Sequence, residues 1–252
     1  MPLKTRMRSG PGFAPVLDLP PPYRLITLRE VGDAFTHAQK VAAEEGAGTL
    51  VFVGRFDLAE FAVVLEPDES LRSARKVFYA AMNALIDALI AHAPPGKSIT
   101  FDWPDAVCID GALLGGGRLA WPHGADENTP PEWLVFGGMI RTVSMTEEPG
   151  LFPLETALAD EGFEETGSAA LVESFARHLM VATDAWQQDG FAGVAKDYLA
   201  RLAPENGARR DIDENGDLLV RRVGRAEAER RSLLPRLETP TWYDPERGGP
   251  RR

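Results

Sequence analysis

Between Ser98 and Val143 four apolar, β-rich runs follow one another with no helical pattern between them. They cover Ser98–Asp105, Ala106–Asp110, Leu113–Trp121 and Trp133–Val143. Parallel neighbours need a crossover of a dozen or more residues, usually a helix, so consecutive strands of this kind pair antiparallel. Asp110-Gly111 joins the second run to the third, and both central positions of a tight hairpin turn favour positive φ. This stretch alone commits the chain to a sheet that is mainly antiparallel.

The flanking segments supply helices. Val31, Ala34, Phe35, Ala38, Val41 and Ala42 recur at helical spacing and predict a helix over 28–45, stopped by Gly46 and Gly48. Thr49–Val53 and Ala59–Leu65 read as strands. Pro67–Ser70 opens a long helix to about His92, with the stripe Phe78, Met82, Leu85, Ile86, Leu89 and Ile90. Helices over 168–187 and 191–202 follow, then a hairpin signal at Asn215-Gly216. The expected class is α+β: a mixed, mainly antiparallel sheet packed by helices, with a small C-terminal β domain. The expected divisions are an N-terminal arm over 1–22, a main domain over 23–204, a small β domain over 205–240 and a frayed tail over 241–252.

Lys and Arg total 27 and Asp and Glu 38, a net charge of −11. Phosphate backbones and anionic membranes are bound by clustered cations, so neither is an expected partner. No run approaches a membrane-spanning length. The basic N-terminus lacks the apolar core of a secretory signal. A single cysteine, Cys108, excludes an internal disulfide. A cytoplasmic location is expected. The histidines His37, His92, His123 and His178 lack metal-ligand spacing. Asp211–Asp217 matches the first half of a calcium loop, but Arg222 stands at the twelfth position, so the hairpin reading is preferred. Pro20–Tyr23 spells a PPxY-like ligand for WW domains, or else Tyr23 opens the first packed segment.

The segment from Phe101 to Gly117, Phe-Asp-Trp-Pro-Asp-Ala-Val-Cys-Ile-Asp-Gly-Ala-Leu-Leu-Gly-Gly-Gly, resembles the signature of the biotin protein ligases and their lipoate-ligase relatives. Trp103-Pro104, Asp110-Gly111 and Gly115-Gly116 keep that spacing without a gap, and the element order from 23 to about 225 is similar. The resemblance implies binding of a small carboxylic acid such as biotin or lipoate, through an acyl-adenylate. It also implies transfer to a lysine of a biotinyl or lipoyl carrier domain. The departures are electrostatic. Asp102 and Leu113 stand where the family has lysines, and of its glycine/arginine-rich loop only Gly54-Arg55 remains. Adenylation needs cations for the phosphates, so the ATP-dependent step is expected to be impaired. The alternative is a non-enzymatic binding or interaction protein built on the ligase fold.

Each candidate has two readings. Asp102 and Asp105 form an acid/base pair or a solvated strand end. Trp103 and Pro104 wall a pocket, or Trp103 anchors the core. Gly115, Gly116 and Gly117 admit a ligand close to the backbone or form a bulge. Arg55, Arg118 and Arg141 clamp a carboxylate, which the guanidinium fork fits, or are structural. Cys108 is a nucleophile, as in related octanoyl transferases, or a core thiol. Sequence leaves the oligomeric state open.

Overall fold

The computed structural model describes residues 17–30, 32–145, 154–163 and 166–251. Its centre is a seven-stranded sheet, and the succession of strands from Ile99 to Arg141 builds more than half of it. The elements run β1 Arg24–Leu28, α1 Ala34–Glu45, β2 Thr49–Val53, β3 Leu58–Leu65, α2 Leu71–Ala74 and α3 Val77–Ile90. Then come β4 Ile99–Asp102, β5 Ala106–Ile109, β6 Ala112–Ala120 and β7 Leu134–Arg141. Strand order is β1-β2-β3-β7-β6-β5-β4. Only β1 and β2 pair parallel; every other pairing in the sheet is antiparallel.

The parallel pair corrects the expected helix over 28–45. Leu25, Ile26 and Leu28 are drawn into β1 beside β2. The helix starts only at Ala34, capped by Asp33, whose carboxylate accepts from Thr36 N at 2.9 Å. An Asp side chain satisfies an orphan N–H at a helix start. Val31, counted in the helical stripe, lies outside the described residues. The Asp110-Gly111 turn has φ of 51° and 88°, as a tight hairpin between β5 and β6 requires.

The two faces of the sheet are covered differently. On the first face α3, then α4 Ser168–Asp189 and α5 Phe191–Arg201, bury the main core, with Phe61, Phe136 and Phe175 among its rings. Tyr23 belongs to this face: its hydroxyl donates to Ala176 O at 3.0 Å, so the PPxY tyrosine is a packed residue. On the second face α1 packs over Val51, Val53, Ala62, Val64 and Val135.

The C-terminal part opens with a three-stranded sheet of β8 Ala208–Ile212, β9 Leu218–Arg222 and β10 Glu229–Arg231. Its Asn215-Gly216 turn docks on the main domain, where Tyr79 OH donates to Gly216 O at 2.6 Å. Asp213 accepts from Asn215 N and Asp217 N, and both aspartates pair with Arg230. The calcium-loop residues therefore serve the hairpin. After α6 Leu233–Glu238, β11 Tyr243–Asp244 and β12 Gly249–Pro250 pair with each other. The expected frayed tail is therefore a folded strap: Trp242 is 1% exposed and packs with Leu58, Ala106 and Met139 on the second sheet face. A terminus frays unless it is tied down, and a buried indole ties this one. No helix among the described residues is long and apolar enough to cross a membrane.

Candidate ligand-binding site

The antiparallel register sets residues in rows across the second face. Glu60, Met139, Gly116 and Ala106 are neighbours across β3, β7, β6 and β5. Ala62, Gly137 and Arg118 form the next row. Cross-strand partners share a face, so the glycines in these rows make hollows where other elements seat. A β-carbon on Gly137 would lie 2.5 Å from the Phe35 ring of α1. One on Gly116 would lie 2.5 Å from the indole of Trp242. Gly117 points to the other face, where a β-carbon would meet Met82 and Phe136, and Gly115 lies against the backbone of Met139.

Arg118 stands between the rings of Phe35 and Tyr243. Its guanidinium is 4.4 Å from the Phe35 ring centre and 4.1 Å from that of Tyr243. Asp33 lies 3.9 Å away. The strap leaves a cleft open on either side. The larger, about 340 Å³, is bounded by Phe35, Arg118, Leu119, Ala120, Trp121, Leu237, Glu238, Pro240 and Tyr243. Among the described residues Arg118 is the only cation in that lining, and Glu238 the only anion. The smaller, about 140 Å³, brings Arg55 and Arg141 together with Asp57, Glu155 and Arg247.

Those two arginines already have partners. Arg55 holds Asp57 bidentately at 3.0 and 2.7 Å and lies 3.6 Å from Glu60. That pairing draws the Asp57 carboxyl below its usual range. Arg141 donates to the carbonyls of Leu113, Thr156, Pro250 and Arg251, and pairs with Glu155 at 3.3 Å.

The two aspartates are separated in environment. Asp102 is exposed at the end of β4. Asp105 is buried, and its oxygens accept from Thr241 N at 2.8 Å and Thr241 Oγ1 at 2.6 Å. Burial pushes the Asp105 carboxyl up to about 6, against the pull of those hydrogen bonds and of Arg236. Trp103 packs against the main core on the opposite face, its N–H 3.4 Å from Tyr79 OH. The Pro104 carbonyl accepts from Tyr198 OH at 2.7 Å. The Cys108 thiol is pushed up to about 11, first by burial and then by Asp102.

Sequence reasoning missed Glu60, Phe35, Trp242 and Tyr243. Glu60 has a visible signal, a lone carboxylate in the apolar run Leu58–Leu65. It is buried, accepts from Ala34 N at 2.9 Å at the start of α1, and burial raises its carboxyl. The strap aromatics have no local signal, because their importance comes from a register more than a hundred residues away in sequence.

The model of the Biotin/lipoate A/B protein ligase family matches residues 19–200. No curated protein matches the chain. A solved structure of a biotin protein ligase-like protein of unknown function from Silicibacter sp. TM1040 is 26% identical, with a TM-score of 0.74 over 86% of this chain and 96% of that one. Biotin protein ligase from Aquifex aeolicus is 13% identical, with a TM-score of 0.65 over 83% of this chain and 95% of that one. The Leishmania major enzyme in complex with biotinyl-5-AMP is 14% identical, with a TM-score of 0.53 over 84% and 99%. The last two share the fold. A family match that spans most of the length, on a sheet and helix order shared with solved ligases, makes this chain a member of the biotin/lipoate A/B protein ligase family.

Proposed function

We propose that this chain binds a small carboxylic acid of the biotin or lipoate type on the second sheet face, and does not activate it with ATP. The observation that carries the reading is the cleft of about 340 Å³, walled mostly by apolar residues, with Arg118 its one cation and Glu238 its one anion among the described residues. Ligand sites begin at roughly 300 Å³ and combine apolar walls with a few polar groups. The planar guanidinium matches a carboxylate in two hydrogen bonds.

Relatives in this family include a biotin protein ligase solved with both biotin and ATP. A triphosphate carries several negative charges and needs several cations. Here Arg55 is held by Asp57, and Arg141 by Glu155 and four carbonyls. Asp102 and Leu113 occupy positions where the family signature has lysines. Arg or Lys exchanged for Asp reverses the local field. On this reading any delivery to a carrier-domain lysine uses a pre-activated donor such as an acyl-adenylate. The single cysteine suits a reducing, cytoplasmic setting.

The test is a thermal-shift series with biotin, lipoate, octanoate, their adenylates and ATP. A ligand at about a hundred times its Kd adds roughly 2.7 kcal/mol, which for a chain of this length is about 5–10 °C. A shift with an acid or its adenylate, and none with ATP, is the expected result. A shift with ATP alone overturns the reading. So does the absence of any acid shift in both this chain and its Trp242→Ala variant.

A further inference from the structure

The strap is held on the sheet by contacts of the kind that recognise a ligand. The indole of Trp242 fills the hollow over Gly116, and its N–H donates to Gly117 O at 3.0 Å. That hollow exists because residue 116 has no side chain. Tyr243 covers Arg118, and Arg141 donates to the carbonyls of Pro250 and Arg251. One segment thus engages the ring hollow and two of the three candidate arginines, Arg118 and Arg141.

Its attachment is of a different kind from that of the strands beneath it. β11 and β12 pair only with each other, and neither is hydrogen-bonded into the seven-stranded sheet. The strap backbone reaches the main domain through side chains, Thr241 N on the Asp105 carboxylate and the two strap carbonyls on Arg141. The strap can lift without unpairing any strand of the main sheet. A segment outside the strand ladder can open locally below the free energy of the core strands, and here burial of the Trp242 indole sets the cost of opening.

We propose that residues 239–251 form a withdrawable strap that holds Trp242 in a ring slot over Gly116, where it competes with a planar, N–H-bearing ring of the ligand. The slot offers an acceptor, Gly117 O, to whatever ring fills it. A buried acceptor left without a donor is costly, so a cyclic amide or urea, as in biotin, is favoured over the dithiolane of lipoate. This rests on the acid-binding reading only for the rest of the ligand. Gly116 and Arg118 lie two positions apart on β6 and face the same way, about 7 Å along the strand. A ring in the slot would therefore place a carboxylate tail beside Arg118, on the sheet wall of the cleft, whose facing wall of Pro240 and Tyr243 moves with the strap.

The deciding experiment uses indole as the slot probe, by calorimetric titration of the full chain and of Trp242→Ala. Indole is expected to bind the variant at least ten-fold more tightly than the unmodified chain. Equal affinities, or binding to neither, overturn the proposal. The second arm repeats the titrations with biotin and lipoic acid. Biotin is expected to gain at least ten-fold in the variant, and lipoic acid less. Equal biotin affinity in both proteins overturns the strap while the acid-binding reading stands. Indole behaving as expected, with neither acid bound by the variant, supports the ring slot and overturns the acid-binding reading, while withdrawal of the strap is decided by hydrogen exchange. Hydrogen exchange on the unmodified chain keeps the proposal testable if the variant fails to fold. The amides of Thr241 and Arg251 are expected to exchange while those of β6 and β7 stay protected. Exchange of both sets together, in one global opening, overturns it.

Discussion

Trp242 and Gly116 are complementary: the ring occupies the space a β-carbon would take, 2.5 Å from where that atom would stand. The same β-carbon would lie 2.1 Å from the backbone oxygen of Asp105, which cannot rotate away. Gly116→Ala should therefore destabilise the chain by about 3 kcal/mol, at the upper end for overpacking. Gly193 is the control. It lies in α5 with no atom within 4 Å of its would-be β-carbon. Gly193→Ala should stabilise by about 0.5–1 kcal/mol, because alanine is the better helix former. Urea unfolding of the two variants checks both signs.

Asp105 makes the seating of the strap depend on pH. Its folded-state pKa, about 6, lies above the ordinary aspartate value because the carboxyl is buried. The folded chain therefore takes up this proton before the unfolded chain does. The stability linked to it is complete below about pH 4 and is lost as the pH rises through about 6. Arg236 of α6 opposes the shift, and Tyr198 of α5 lies in the same neighbourhood. Asp105→Asn keeps an acceptor for Thr241 N and carries no charge. Its stability relative to the unmodified chain should be greater at pH 8 than at pH 4, by up to about 3 kcal/mol for a two-unit shift. Chemical unfolding at both pH values is the measurement. A difference that does not change with pH would show Asp105 to be ordinary in the folded chain.

The sheet was legible because its signals are local. Asp110-Gly111 fixes a hairpin from two residues, and the strand succession around it admits few topologies. β1 was missed because Leu25, Ile26 and Leu28 in a five-residue run are too few to set a period; only the pairing with β2 identifies the strand. Gly116 was found through the family signature and Arg118 as a cation beside it, but their surroundings were not. Phe35 and Tyr243 sandwich Arg118 from positions 83 residues before it and 125 after it, by the numbering of the chain. The Pro/Arg/Gly-rich composition of 236–252 reads as a tail, and one tryptophan reverses that reading through burial. Composition averages over a segment, whereas a single large apolar ring decides where it goes.

Cys108 separates this chain from thiol-based acyl transfer. With its pKa pushed up to about 11 by burial and by Asp102, little thiolate exists near neutrality, and the thiolate is the nucleophile. Iodoacetamide at pH 8 should modify Cys108 at least ten-fold more slowly than free cysteine. Cys108→Ala should leave ligand binding unchanged. Rapid alkylation, with binding lost on alkylation, would return the cysteine to the site.

The two arginines on either side of the strap should separate binding from stability. Arg141 satisfies four carbonyls and pairs with the half-buried Glu155. Removing the donor leaves carbonyls and a half-buried carboxylate without it, so Arg141→Gln should cost about 2–3 kcal/mol. Arg118 is held mainly by two rings and lies 3.9 Å from Asp33. Losing such stacking costs about 1–2 kcal/mol, so Arg118→Gln should fold almost as well as the unmodified chain. Acid binding to that variant should fall at least ten-fold, because glutamine has no cationic fork for a carboxylate. Arg118→Lys keeps the charge without the fork and should recover only part of the loss. Titration of each variant with biotin, beside its unfolding curve, checks the separation. Arg141→Gln abolishing binding at unchanged stability, with Arg118→Gln binding normally, would move the carboxylate subsite to the cleft of about 140 Å³ on the other side of the strap.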